Sequence, residues 1–240
     1  MTPAEILNSL FPTGHQLTAD GDLSFGTATA LNGEMIHLMS VGGGRAIGID
    51  EAIRLADHAL KIALIDDASP ILLLVDTSSQ RMSRRDELLG LSEYLAHLAK
   101  SLLLAEVSGH RTIGLLYGGS AAGAFIATAL ACGTLVALPG AHPQVMDLPS
   151  MARVTKLPID VLKEKAKATP VFAPGLENLA QTGAIAETWK PELPLADQLA
   201  MLLARPQKGD DRAALGKERG GRLKAEGIAD EIVTLARKRG

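Results

Sequence analysis

The stretch RTIGLLYGGSAAGAF, residues 111–125, places a strand-length apolar run against two adjacent glycines, a serine and a row of alanines. The run 111–117 reads as a strand covered on both faces, because no polar residue alternates through its apolar centre. AAGAFIATALAC, beginning at Ala121, predicts a helix whose small residues face a sheet. Between them, Tyr117-Gly118-Gly119-Ser120-Ala121 brings almost bare backbone to a strand-to-helix junction. Three chemistries use such a turn: a phosphate cradle, a nucleophile elbow, and an oxyanion hole built from backbone N–H groups.

Their demands differ. A phosphate loop ends in Gly-Lys-Ser/Thr, whereas Gly123 is followed by Ala124 and Phe125. A dinucleotide fingerprint needs a glycine where Tyr117 stands. The Gly-x-Ser-x-Gly elbow is half met: Gly118 precedes Ser120 correctly, but Ala122 occupies the second glycine position. Ser120 would also need His110 or His142 as its base, and a serine opening a helix is more often an N-cap than a nucleophile. The oxyanion reading asks only for free N–H groups at the positive end of a helix dipole. Gly118 and Gly119 would let a ligand oxygen approach, and Ser120 and Ala121 would carry the first helical N–H groups. A glycine pair packed against a neighbouring helix remains open on sequence alone.

Outward from this turn the pattern repeats. LSFGTATALNGEMIHLMSV, residues 23–41, reads as two strands joined at Asn32–Gly33, a pair suited to a tight hairpin. GGGRAIGID follows as a loop, with Asp50 as N-cap of a helix carrying Ile53, Leu60 and Leu64. ILLLVDT, 71–77, is a second buried strand and SSQRMSRRDE a polar loop. Leu88, Leu91, Leu95, Leu98, Leu102 and Ala105 mark a long helix stopped by Gly109. TLVALPG, 134–140, is a further strand. Strands and helices alternate from 36 to 140, which is the pattern of an α/β domain with mostly parallel pairing. In such a sheet ligands bind at the carboxyl ends of strands, where the loop 76–87 and the turn 117–121 both lie. Arg81, Arg84 and Arg85 of that loop are candidates to hold a carboxylate.

A second glycine-rich segment, VGGGRAIG, imitates a dinucleotide motif but fails it. Ile47 stands where the third glycine belongs, and Asp76 lies too far beyond Gly42 for the acidic partner. Isolated His15, His37, His58 and His97 offer no metal-ligand spacing, so no metal is expected. A single cysteine, Cys132, excludes a disulfide framework within the chain.

Composition narrows the classes further. Hydrophobic residues make up 47% and aromatics only 3%, so the core is aliphatic and a base-stacking nucleic-acid platform is not expected. The net charge of -3 provides no field for nucleic acid or anionic membrane. Residues 205–240 hold ten Lys/Arg and six Asp/Glu, a local +4 on an acidic remainder. Beyond 150, PIDVLKEKAK, GLENLAQTG and LADQLAMLLAR read as short helices. Residues 206–227 read as a linker or loose arm, and IADEIVTLARKR as a docked amphipathic helix carrying Ile228, Ile232 and Leu235. The first residues lack a signal-peptide pattern and no segment reaches membrane-spanning length, so a cytoplasmic protein without a membrane span is expected.

Together, VGGGRAIGIDEAIRLADHAL, SPILLLVDTSSQ, IGLLYGGSAAGAFIATALAC and PGAHPQVMDLPSMARV resemble the γ subunit of malonate decarboxylase, from about residue 20 to 204. The resemblance implies a crotonase-like (ClpP/crotonase) α/β fold over 1–204, with trailing helices from 150 to 204, and a charged C-terminal arm at 205–240. It implies a carboxyltransferase-type decarboxylase subunit, active only beside a crotonase-like β subunit. Malonyl thioester on an acyl carrier protein would lose CO2 to give acetyl thioester. Gly118, Gly119, Ser120 and Ala121 would form the oxyanion turn, and Ser78, Ser79, Gln80 and Arg81 the substrate loop. That loop departs from the wider relatives, in which Pro and Gly usually follow the strand. No cofactor is implied in this chain; a phosphopantetheine-like group would belong to the carrier. A biotin-dependent carboxyltransferase subunit, a serine hydrolase using Ser120 and a non-catalytic partner of the β subunit are the alternatives.

Overall fold

The computed structural model describes residues 1–170, 173–207 and 209–239. By compactness the chain divides into two units: Met1–Val145 with Glu187–Gln207, and Met146–Ala186 with the described residues after 208.

The first unit is built on a sheet. Its elements are α1 (Pro3–Leu10), β1 (His15–Asp20), β2 (Leu23–Thr29), β3 (Met35–Ile47), α2 (Ile49–Ala63), β4 (Ile71–Gln80), α3 (Arg84–Leu88), α4 (Leu91–Val107) and β5 (Thr112–Leu116). Then come β6 (Gly119–Ala121), α5 (Ala122–Ala127), a 3-10 turn (Ala129–Ala131), β7 (Thr134–Ala137) and β8 (His142–Gln144). Among the described residues seven strands form one sheet; its final strand β9 (Glu187–Thr188) completes the order β1-β2-β3-β4-β5-β7-β9. β1, β2 and β3 pair antiparallel; β3, β4, β5, β7 and β9 pair parallel. The hairpin expected at Asn32–Gly33 is present, with Gly33 at φ 84.

Burial explains why the central strands read as unbroken apolar runs. Ile71 to Val75 are at most 1% exposed, because both faces of β4 are covered. On one face Leu38, Leu72, Leu74, Ile113, Leu115 and Val136 join Ile6 and Leu10 of α1 and Trp189. Leu195, Leu199 and Leu202 of α9 (Leu195–Leu203) close the same cluster. On the other face α2 and α4 pack together through Ala52, Leu55, Ala56, Leu98 and Leu102. Small residues on α2 permit that close approach, which accounts for the alanine-rich composition.

Several local expectations are corrected. Gly48, not Asp50, caps α2; its N–H donates to Glu51 Oε2 at 2.8 Å. GGGRAI is not a free loop but the irregular end of β3, with register shifts between Val41 and Ile47. β1 lay outside the expected strands, because HQLTAD pairs only at the sheet edge and is largely exposed.

In the second unit α7 (Ile159–Ala168) and α8 (Leu176–Gln181) form where helices were expected, and α6 (Leu148–Thr155) is a further helix ahead of them. The charged segment after 206 contains a further helix, α10 (Arg212–Glu218). Arg219 ties its end down by donating to the carbonyls of Ala180, Ile185 and Ala186, each at 2.7 Å. α11 (Ala225–Arg239) forms as expected, but its apolar residues are not docked: Ile228, Ile232 and Leu235 are 48–61% exposed. No helix among the described residues is long and apolar enough to cross a membrane.

Candidate functional site

The site forms where β4 outruns β5. The two strands pair in register up to Val75 and Leu116, and Tyr117 N–H still donates to Val75 O at 3.2 Å. There the chain turns, and glycine is required by space. A β-carbon on Gly118 would run into the Asp76 carboxylate. One on Gly119 would lie 2.7 Å from Thr77 O and 2.9 Å from His142 Nε2, inside contact distance.

Past the turn, β6 lies alongside the end of β4, and β4 side chains take the place of ladder bonds. Gly119 N–H donates to Asp76 Oδ1 at 3.0 Å, the Thr77 and Ser120 hydroxyls meet at 2.9 Å, and Gly123 N–H donates to Gln80 Oε1 at 2.9 Å. Each pair is separated by 43 residues, so the two segments run in step. On its other edge β6 pairs in parallel with β8, setting Gly119 beside His142. The loop after β4 and the glycine turn therefore converge on one place, as the strand-end argument requires.

The second glycine-rich segment joins them. Gly44 N–H donates to Asp76 Oδ2 at 3.2 Å, so Asp76 gathers backbone N–H groups from both glycine stretches. The Tyr117 hydroxyl stands 2.6 Å from where a β-carbon of Gly42 would be. Burial, then the neighbouring Asp76 charge, pushes the Tyr117 phenol up to about 12. The glycines of VGGG admit a carboxylate and a phenol rather than a phosphate. In the sequence Asp76 fits no nucleotide motif; its position at the end of a buried strand, between two glycine runs, is the signal that marks it.

Ser120 is neither an N-cap nor an exposed nucleophile. It is 1% exposed in β6, its hydroxyl is spent on Thr77, and α5 begins two residues later with Ala121 as a cap that makes no side-chain bond. Gly118 to Ala121 are thus turn and strand, not the first turn of a helix. His110 precedes β5 at the opposite end of the sheet, so it cannot serve Ser120. His142 is exposed, with Nδ1 donating to Gly140 O at 3.2 Å; in its neutral form Nε2, the atom nearest Gly119, then carries the lone pair.

The loop residues divide. Ser78 is exposed at the rim, Ser79 Oγ donates to Gln80 O at 3.0 Å, and Gln80 bridges to Gly123. Arg81 is held by Glu51 at 2.6 Å and lies 3.8 Å from Asp86, whose side chain is 1% exposed. Arg85 takes Asp50 at 2.8 and 3.0 Å and Asp86 at 3.0 Å, and its hydrogen bonds hold the Asp50 carboxyl below the usual range. These two arginines compensate a buried aspartate, while Arg84 stays exposed.

Comparison with known proteins identifies the family and the fold. The chain resembles the malonyl-S-ACP:biotin-protein carboxyltransferase of Malonomonas rubra, being 27% identical over 197 residues that make up 74% of this chain and 68% of that protein. Its structure resembles a Pseudomonas malonate decarboxylase hetero-tetramer solved with coenzyme A: TM-score 0.74, 25% identity, covering 98% of each chain. Transcarboxylase 12S shares the fold, with TM-score 0.66 and 16% identity over 85% of this chain and 41% of that one. The expected crotonase-like α/β architecture is the one these carboxyltransferases have. The sequence pattern of the malonate decarboxylase gamma subunit matches residues 43–236, a span that contains the end of β4, the glycine turn and His142. With that match over most of its length, the chain belongs to the malonate decarboxylase gamma subunit family.

Proposed function

We propose that this chain works beside a β subunit on malonyl thioester carried by an acyl carrier protein, its strand-end site forming one wall of the reaction chamber. The observation that supports it most is the convergence of the glycine turn, the β4 end and His142 on one spot, in a fold shared with a malonate decarboxylase hetero-tetramer. The carboxylate–carbon bond breaks, CO2 departs, and its electron pair passes into the thioester to give an enolate. Backbone N–H groups of the turn at Gly118–Ala121 stabilise the enolate oxygen. Asp76 already draws the Gly119 N–H, so use of that donor requires the carboxylate to release it. His142 Nε2 stands nearest Gly119, and we assign to it, in the doubly protonated ring, the proton that converts the enolate carbon to acetyl. Ser78 at the rim meets the substrate, and Gln80 and Arg81 shape the loop. Any phosphopantetheine-like arm belongs to the carrier.

The test is decarboxylation of malonyl-S-carrier by the purified chain alone, by the chain with its β subunit, and by the mixed complex carrying His142→Asn. Activity should appear only in the mixture and fall by about 10²-fold or more in the variant. A chain active alone, or a folded, assembled variant at full rate, overturns the respective assignment. The Malonomonas relative supports a second reading, transfer of the carboxyl group to a biotin protein. It is separated by adding a biotinylated acceptor and asking whether CO2 release gives way to avidin-bound label.

A further inference from the structure

At the amino ends of the same strands, away from the site, the fold assembles a cluster that no sequence spacing reveals. His37 lies near the start of β3, Asp67 in the connection before β4, and His110 just before β5; pairing of His37 with Ile71 and of Ile71 with Thr112 sets them level. One ligand atom from each lies within 4.8 Å of the others. His37 Nε2 is 3.5 Å from Asp67 Oδ2, and His110 Nδ1 is 3.6 Å from Asp67 Oδ1. Ser69 O is 2.9 Å from the same His110 nitrogen.

His110 Nε2 lies 3.1 Å from Ile65 O and Nδ1 2.9 Å from Ser69 O; both carbonyls only accept, so a neutral ring serves one of them, and with its proton on Nε2 the Nδ1 lone pair faces the cluster. That lone pair faces a carbonyl oxygen and a carboxylate. His37 is 6% exposed and its Nε2 has no hydrogen-bond partner. His37 Nε2, Asp67 and His110 Nδ1 thus lie within 4.8 Å of one another, with Ser69 O beside the last. Protons on His110 Nδ1 and His37 Nε2 would serve Ser69 and Asp67, the second only across 3.5 Å; a metal ion at the centre serves the carboxylate and both imidazole nitrogens.

We propose that His37 Nε2, Asp67 and His110 Nδ1 bind a divalent transition-metal ion of the zinc type, with Ser69 O or water completing the shell. Two imidazoles and one carboxylate suit such an ion better than magnesium or calcium. Tetrahedral bonds of about 2.1 Å put ligand atoms about 3.4 Å apart, close to the two Asp67 separations. The bond from His110 Nε2–H to Ile65 O is the outer support usual for a ligating imidazole. Asp67, with its side chain 27% exposed, gives the entry path. The ion would clamp β3, the β4 approach and the β5 approach together, a structural role separate from decarboxylation.

The experiment uses the full, tag-free chain after chelator treatment and dialysis. Zinc chloride is titrated by calorimetry, unfolding is followed with and without zinc, and cobalt(II) is added as a spectroscopic probe. One equivalent of zinc binding at micromolar or tighter affinity, a raised Tm and the visible absorption of tetrahedral cobalt are expected. His37→Gln should weaken zinc binding at least 100-fold and abolish the cobalt band. If that variant does not fold, Asp67→Asn, on the exposed connection, should show the same loss. Absence of stoichiometric zinc binding, or binding unchanged in the folded variants, overturns the proposal and leaves the cluster to a proton.

Discussion

Asp76 holds the site together from a single side chain. Its carboxylate accepts from Gly119 N–H, which is buried, and from Gly44 N–H, which water can serve. Asp76→Ala should therefore cost about 1–3 kcal/mol, the penalty for one buried unsatisfied donor. Asp76→Asn keeps an oxygen for Gly119 and should cost less than half as much. Urea denaturation of the three proteins checks the order; equal losses would show that charge, not acceptance, matters. Tyr117 gives a second measurement. A phenol raised to about 12 in the folded chain, against about 10 unfolded, stays protonated while the unfolded chain ionises. Its contribution to stability is thus present below pH 10 and lost as pH rises through 10 to 12. Absorbance titration at alkaline pH should show a late tyrosinate step that Tyr117→Phe removes.

Among the elements, the junction of β6 and α5 carries the local strain. Ala122 adopts φ 50, a left-handed conformation that costs a non-glycine residue roughly 1–2 kcal/mol. This reversal swings Gly123 N–H onto Gln80, so the strain helps lock the turn to the β4 end. Ala122→Gly should leave Tm within a few degrees, relief of strain offsetting the added chain entropy of glycine. Ala122→Val should lower Tm by several degrees, since a β-branched residue tolerates positive φ least. Equal behaviour of the two variants in thermal unfolding would contradict the left-handed assignment.

For the whole molecule, the sheet unit relies on aliphatic packing with a single tryptophan as its reporter. Trp189 is 2% exposed in the cluster that includes Leu115, which is fully buried on central β5. Leu115→Ala should lower stability by about 2–5 kcal/mol through lost burial and the cavity left behind. Tryptophan fluorescence should report that shift. A loss under 1 kcal/mol would mean that the sheet closes around the gap, contrary to its dense two-sided cover.

Local chemistry settles much of this in advance. Unbroken apolar runs at 71–75 and 113–117 read as strands covered on both faces, and Asn32–Gly33 favours a hairpin whatever surrounds it. Gly118 and Gly119 announce a close backbone approach because no side chain competes for that space. The sequence could not say what approaches. Only the parallel register of β4 and β6 puts Asp76, Thr77 and Gln80 opposite residues 43 positions later. It also turns Ser120 inward, against the reading of a helix cap, because α5 starts beyond it. His142 over Gly119, and His37 with Asp67 and His110, have the same origin. Propensity acts over a few residues, whereas strand order joins residues far apart in the chain, and a site made from such residues exists only once the sheet has formed.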